Sequence, residues 1–445
     1  MFSCIRYFFV LNILAWAWAQ NSTILDQPLQ NASIPTSQRV GFVWGSNNRS
    51  TLMLLWSCMA TILSCTWTVS QCHRRSQSSI MLGANTSQVL HLNCPAPDDG
   101  YWTLFLRKTK WMFITLLAPE FTFSIAAMQW FECRTATAQF RYHGHPGWTM
   151  THSFYARMGG FVLETPDHSV IPLFPRELFD LVRSGSVQKP TLLEDDINDR
   201  SKADSAVKLF TVLQSGWFVT QCIARAAQDL PLSELEITTM AFAFVAMSTY
   251  VCWWNKPVSV NTTTHVKIVG DSLHRLLRDD LEHFIVWDFK KNRTPQRIKL
   301  WTSGLWTSGL SRTAWDHSQG PERIFIPLLG AATIFGGIHC IAWDFDFATD
   351  WERILWRSCA LITTILGTIT ILSPLVLFRL GRFTNHIAGS SAVEAFNRPL
   401  VMFLMLGIYP LARIALMFES FYSLRSLPSR VYVTATWVNY IPHIG

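Results

Sequence analysis

The sequence predicts an all-α integral membrane protein: about seven transmembrane helices with two long polar inter-helix segments. Three observations lead there. The 445 residues are 49% hydrophobic and only 15% charged, with 20 Trp and 30 Phe, whereas an ordinary globular domain carries roughly 25% charged residues. Mean hydropathy is positive, at +0.19. Apolar segments near 52–69, 111–131, 209–228, 237–254, 324–343, 354–380 and 399–424 approach or exceed the ~20 residues that cross a ~30 Å hydrocarbon core.

Residues 1–19 carry Arg6, a short apolar run from Tyr7 to Leu14 and Ala17-Trp18-Ala19 before Gln20. A basic start, a short apolar stretch and an A-x-A site describe a cleavable signal peptide, which places the protein in the secretory pathway. Residues 20–51 are polar and hold N-x-S/T sequons at Asn21, Asn31 and Asn48. Behind a signal, this segment is expected to be luminal or extracellular and glycosylated. A further sequon stands at Asn261.

Residues 52–131 hold the first two expected spans. Backbone groups in lipid must bond within their own segment, so each span is a helix. Trp111, Trp130, Trp253, Trp254, Trp343 and Trp351 stand at the ends of apolar segments, where amphipathic rings sit at head-group level. Spans three and four fall in 209–254; the third is weakest, because Gln214 and Gln221 interrupt it. Spans five to seven and a short tail occupy 324–445. A cleaved leader with seven spans puts the C-terminus in the cytosol, and Arg107, Lys108 and Lys110 then face the cytosol, as the positive-inside rule asks.

Two polar stretches separate the spans. Residues 132–208 contain Glu194-Asp195-Asp196 and read as a small subdomain of short helices. Residues 255–323 include Leu273, Leu276, Leu277, Leu281 and Phe284 at helical spacing, the pattern of an amphipathic helix on a membrane or bundle. The Trp-Thr-Ser-Gly-Leu strings at 301–305 and 306–310 are a loop duplication too short to be a structural repeat.

The net charge of +7 is not gathered into a long basic run. Arg107, Lys108 and Lys110, and likewise Lys290, Lys291 and Arg293, flank apolar segments and suit anionic head groups. A nucleic-acid-binding module is absent from the pattern. The ten cysteines show no C-x-x-C pair and no zinc spacing. Cys58, Cys65, Cys222, Cys252, Cys340 and Cys359 fall in or beside apolar segments, as small buried hydrophobes do. Some pairing among Cys72, Cys94 and Cys133 is left open.

Strings spread over nearly the whole chain after residue 50 resemble a widespread, uncharacterised family of fungal multi-pass membrane proteins. They are Leu54-Leu55-Trp56-Ser57-Cys58 with Cys65-Thr66-Trp67-Thr68, His91-Leu92-Asn93-Cys94-Pro95, and Phe154 to Phe161. Others are Trp253-Trp254-Asn255-Lys256-Pro257, and His339 to Trp343 with Trp351-Glu352 and Leu355-Trp356-Arg357. The last is Leu424-Arg425-Ser426-Leu427-Pro428 with Trp437 and Pro442-His443. The resemblance implies seven spans behind a leader and no particular chemistry. In that pattern the Cys-Thr-Trp-Thr string runs almost directly into His-x-Asn-x-Pro, so residues 70–88 read as an insertion compatible with an unspliced intron. The sequon at Asn85 lies in it and is discounted.

Ionisable groups at membrane depth are costly and mark candidate sites. Glu120, after Pro119 in the second span, is the first candidate: a proton relay, ligand anchor or acid, or else a structural carboxylate bonded to a neighbouring span. Pro119 frees a backbone carbonyl and kinks the helix. His339 is the second; Gly336 and Gly337 before it allow another helix to approach, and histidine titrates near neutral pH. Glu120 and His339 form a conceivable acid–base couple, and the alternative for His339 is a bond to a backbone carbonyl. Arg413 is expected to meet a carboxylate on another helix, Glu120 among the candidates. Glu419 lies six positions on and faces another way. Glu352 and Arg357 are expected to snorkel at the end of the sixth span.

Asp279-Asp280-Leu281-Glu282-His283, Asp344-Phe345-Asp346 and Asp98-Asp99 each miss a ligand that diphosphate or protonating motifs require. His143, His145 and His152 surround a turn at His145-Pro146-Gly147. The phosphate-binding, dinucleotide, zinc-protease and nucleophile-elbow motifs are missing. No cofactor or metal is therefore expected. The leading functional reading is a membrane protein, in contact with the bilayer and not with nucleic acid, that binds an apolar ligand or a partner. The alternatives are a membrane-embedded cyclase- or isomerase-type enzyme of secondary metabolism acting on a lipid-soluble small molecule, and a transporter or receptor.

Overall fold

The computed structural model describes residues 39–44, 49–72, 101–164, 170–199, 202–257, 263–267, 322–369 and 407–434. The leader, Asn21, Asn31, Asn48, Asn85, Asn261, Cys94, the Asp279–His283 string, the expected amphipathic helix, the duplicated loop and all of residues 73–100 lie outside the described residues.

The fold is mostly helical. The described residues form eleven α-helices: α1 (Thr51–Cys72), α2 (Tyr101–Leu117), α3 (Pro119–Tyr142), α4 (Met150–Arg157), α5 (Pro175–Arg183), α6 (Glu194–Asp199), α7 (Lys202–Ala227), α8 (Glu234–Cys252), α9 (Glu322–Cys340), α10 (Asp350–Leu361) and α11 (Tyr409–Tyr422). The strands are β1 (Arg39–Val40), β2 (Phe161–Glu164), β3 (Val170–Pro172), β4 (Thr264–Val266) and β5 (Leu427–Pro428). The expectation of a purely α protein is corrected in this respect.

α8 is the central helix of the bundle and packs against α1, α3, α7, α9 and α11. Its start follows from Ser233-Glu234-Leu235-Glu236: Ser233 Oγ accepts the Glu236 N–H and Glu236 Oε2 accepts the Ser233 N–H at 2.9 Å. This reciprocal cap satisfies amides that a helix start leaves unpaired. Hydroxyls enter the apolar helices by bonding back one turn, as Thr66 to the Ile62 carbonyl (2.8 Å), Thr239 to Leu235 (2.7 Å) and Thr249 to Val245 (2.8 Å).

The described residues bear out only part of the expected count of seven spans. Among the described residues two helical stretches are long and apolar enough to cross a membrane, Glu234–Cys252 and Ile326–Asp344. A third is the pair Lys108–Leu117 and Pro119–Tyr142 taken together, bent by 107°. The bend sits where Pro119 follows Ala118. Proline disfavours the helical region for the residue before it, and Ala118 takes φ −143° and ψ 69°, leaving Pro119 to open α3. α1 is apolar but shorter over Thr51–Trp67. α7 keeps the polar groups that weaken its pattern, and Gln214 Oε1 accepts the Ser64 hydroxyl at 3.2 Å. The expected sixth and seventh segments are described only up to residue 369 and from residue 407.

The described part of the first polar stretch and residues 263–267 of the second build one lobe. β2 pairs antiparallel with β3 and parallel with β4, with Phe161 opposite Thr264 and Leu163 opposite Val266. Residues on either side of the α7–α8 hairpin thus share a sheet. The lobe has its own core, in which Phe140, Trp148, Tyr155, Phe161, Leu178 and Val266 are packed with α4, α5 and α6. Each such side chain contributes about 1.5–3 kcal/mol of transfer free energy. The string from Phe154 to Phe161 is buried here. Gly159 adopts φ +78°, and a Cβ on Gly160 would lie 2.3 Å from the Tyr155 ring. Glu194 opens α6 and accepts the Thr151 hydroxyl at 2.6 Å.

The far ends of the described chain meet. β1 pairs antiparallel with β5, Arg39 opposite Pro428 and Val40 opposite Leu427. Arg225 fixes the same segment by donating to the carbonyls of Val433 (2.7 Å), Val431 (2.9 Å) and Pro231 (3.0 Å).

Candidate functional site

The break at Ala118 decides where Glu120 sits. It is not at the middle of a straight span but in the first turn of α3, where the unpaired amides of a helix start favour a carboxylate. α11 brings the partners. Tyr409 Oη donates to Glu120 Oε1, and Arg413 Nη2 donates to Glu120 Oε2 at 2.6 Å. Residues 409 and 413 are one turn apart, so both side chains leave the same face of α11. The ion pair is sealed, with Glu120 4% and Arg413 6% exposed.

Arg413 also lies 3.6 Å above the centroid of the Phe335 ring from α9. The negative ring face offsets part of the cost of burying the cation. Its Nε makes no hydrogen bond.

His339 is one turn beyond Phe335, buried at 1% exposure. Its Nδ1 is 2.8 Å from the Phe335 carbonyl oxygen, and its ring packs on Phe335 and Trp356. Trp356 Nε1 donates to the His339 carbonyl at 3.1 Å. Arg413 stands between the two, bonded to Glu120 and lying over the Phe335 ring on which His339 packs, and no hydrogen bond joins Glu120 to His339 among the described residues. Gly336 makes the approach possible: a Cβ there would meet Thr364 Oγ1 at 2.3 Å and its Cα at 2.7 Å, while at Gly337 it would meet nothing within 4 Å.

Beside the break, a narrow crevice is lined by residues of α1, α2, α3 and α8, including Cys65, Thr115, Pro119, Thr122 and Phe242. Its hydroxyls are already committed: Thr115 Oγ1 donates to the Trp111 carbonyl at 2.9 Å and lies 3.2 Å from Thr122 Oγ1.

Other charges bear on the bundle, and hydropathy alone did not reveal them. Glu236 pairs with Arg49, which precedes α1. Burial opposes the Arg49 charge, but Glu236 outweighs it and the guanidinium pKa is held above its ordinary value. Glu132 pairs with Arg157 at 2.8 Å. In the Trp253–Lys256 string, Gln129 Oε1 accepts from both Trp253 Nε1 and Lys256 Nζ at 3.0 Å. Glu352 is corrected: it does not snorkel but is 3% exposed and paired with Arg425. Arg357 lies at the rim, donating to the Trp343 carbonyl at 2.9 Å.

Among the described residues, no three or more His, Cys, Asp or Glu are placed to hold a metal ion. His152 bonds to Thr149 and the Leu192 carbonyl, and His143 to the Gln139 carbonyl. Cys133, left open as a disulfide partner, is a buried free thiol. Asp344 meets Arg357 at 3.3 Å and is exposed.

The family model of a family of unknown function, DUF8562, matches residues 22–278 and 323–444. The chain belongs to this family. The match takes in every described segment apart from residue 322, so the Glu120–Arg413–Tyr409 cluster and the lobe both fall within the DUF8562 region. No curated protein and no solved structure matches the chain.

Proposed function

We propose that this DUF8562 protein is an integral, multi-pass membrane protein of the secretory pathway with a binding role, not a catalyst. The Glu120–Arg413–Tyr409 cluster clamps its broken helix to α11, and a polar lobe on one side of the bilayer receives an apolar ligand or a partner.

The observation that carries this reading is the inversion of polarity across the bundle. Glu120, His339, Arg413 and Glu419 are buried. Meanwhile Leu411, Ile414, Phe418 and Tyr422 of α11 are exposed, at the three- and four-residue spacing of a single helix face. Leu209, Leu213 and Trp217 make a second such stripe on α7. A surface of this kind suits lipid, where an apolar side chain needs no water. The sheet shared by the two polar stretches agrees with both lying at one end of the α7–α8 hairpin. The enzyme reading has less support, because Glu120 and His339 spend their hydrogen bonds inside the protein.

The test has two parts. Alkaline extraction should leave the full-length protein in the membrane fraction; release into the supernatant overturns membrane integration. Deleting the gene and restoring it as wild type or as Glu120→Gln, with untargeted profiling of lipid-soluble metabolites, tests the binding role. A compound that vanishes on deletion, returns with wild type and stays absent with a normally abundant Glu120→Gln protein makes Glu120 an acid or base of an enzyme and ends this proposal.

A further inference from the structure

The two ends of α8 carry different structures. At its start Glu236 pairs with Arg49, whose Nη1 donates to the Val431 carbonyl at 3.4 Å. Thr51 Oγ1 lies 3.0 Å from Tyr432 Oη, and β1 pairs with β5 beside them. At its other end Trp253 packs with Phe154 of α4, and the Trp253 carbonyl accepts Lys208 Nζ at 3.2 Å. α8 is long and apolar enough to cross a membrane. At 1.5 Å per residue it measures about 28 Å, close to a ~30 Å hydrocarbon core. On the membrane reading above, its two ends therefore stand on opposite faces.

The neighbouring helices keep to these two ends. α7 starts beside the lobe through Lys208 and finishes with Arg225 on the Val431 and Val433 carbonyls. α1 leaves Thr51 and, farther along, Ser64 bonds Gln214 within α7. α9 leads into Asp344, and Arg39 of β1 reaches the nearby Asp346 carbonyl at 2.7 Å. α10 departs from the same end, where Glu352 pairs with Arg425, and α11 comes back to it.

The bent pair is different. α3 begins at mid-bundle, where Arg413 holds Glu120, and ends with Phe140 in the core of the lobe. α2 does not start at the β1–β5 end: the Phe105 ring lies 6.2 Å from Trp67, about 24 Å past Thr51 along α1. Its far end turns at Ala118 beside the buried Pro119, and irregular backbone at membrane depth is tolerated where protein covers it. Both outer ends of the pair thus belong to the lobe side, and the 107° break is the turning point of a re-entrant segment.

We propose that the β1–β5 end and the lobe lie on opposite faces of the membrane, the lobe in the cytosol, so that residues 39–51 and 423–434 share the luminal face and the chain between them crosses an even number of times.

The absolute sides follow from the expected leader, which carries the residues after it into the lumen. Arg107, Lys108 and Lys110 of α2 then belong to the cytosolic side, as the positive-inside rule asks. An odd count of seven with a cytosolic C-terminus gives way to an even count with a luminal one. The partner or apolar ligand assigned to the lobe is accordingly met from the cytosol.

The experiment places three epitope tags singly in the full-length protein and treats sealed microsomes with protease from outside. One tag is inserted within residues 20–38 and one follows Gly445; residues 435–445 are fewer than the ~17 that a crossing takes. The third is inserted at Gly185 of the lobe, which is exposed with nothing within 4 Å of a Cβ position. A second lobe insertion beside the exposed Leu193 repeats that reading should the first prevent folding. The expected result is loss of the lobe tag and protection of the other two until detergent is added. A C-terminal tag cut while the N-terminal tag is protected overturns the proposal, as does a protected lobe tag. Loss of all three overturns it too; release by alkali then traces the failure to membrane integration, and retention traces it to sidedness.

Discussion

Arg413 and Glu120 stand 293 residues apart and meet at 2.6 Å in the buried centre of the bundle. The pair ties α11 to the first turn of α3 on the far side of a 107° break. Removing one member leaves the other charge buried and unpaired, which costs about 3–5 kcal/mol. Arg413→Met alone is therefore expected to destabilise by about that amount, and Arg413→Met with Glu120→Gln by much less. Unfolding of the single and double variants in detergent gives the coupling energy; additive losses would remove the clamp.

Gly336 and Gly337 separate by what faces them. An alanine at 336 presses on Thr364, including its backbone, and overpacking of this kind costs about 1–3 kcal/mol. An alanine at 337 meets nothing and should leave the thermal midpoint unchanged or slightly raised. Equal effects at the two positions would contradict the close approach of α9 to the turn that follows α10.

Arg225 holds three carbonyls with one planar fork. Lysine offers a point charge without that geometry, so Arg225→Lys should loosen residues 427–433. Losing one or two bonds from a charged donor costs roughly 1.5–3 kcal/mol each. Limited proteolysis should show earlier cutting in this segment while the lobe stays resistant; an unaltered pattern would mean that β1–β5 pairing suffices alone.

His145 supplies a pH dependence outside the helices. Burial, then Lys189 and then His143, lower its pKa below the ordinary imidazole value. The folded lobe therefore binds this proton less well than the unfolded chain. The stability involved is present above pH ~6.5 and is lost as pH falls through the lower folded value. His145→Gln should flatten the acid side of the lobe's unfolding profile, followed by the fluorescence of Trp148. A profile unchanged by the substitution would assign the acid limb to another group.

Much of the local structure was legible in the residues. Apolar runs marked α1, α8 and α9, and Pro119 marked the break, because a proline acts on its own neighbour. Glu120, His339 and Arg413 were visible as polar groups in apolar surroundings. Hydropathy marked more segments than there are helices long and apolar enough to cross a membrane among the described residues, since it scores a segment without regard to bends or to packing against neighbouring helices. It also placed Glu352 at the lipid rim, although a charged residue near a helix end either snorkels or turns inward according to what lies beside it.

The sequence by itself determined that this chain makes apolar helices, where one of them breaks, and which few charges must be hidden. Only the tertiary structure decided the partners. Whether Glu120 met Arg413, or Glu352 met Arg425, depended on which helix ends came together. That choice rests on packing across hundreds of residues, and no local spacing encodes it. The same holds for β2 and β4, each too short to form a sheet alone, which pair because α7 and α8 return the chain to the place it left.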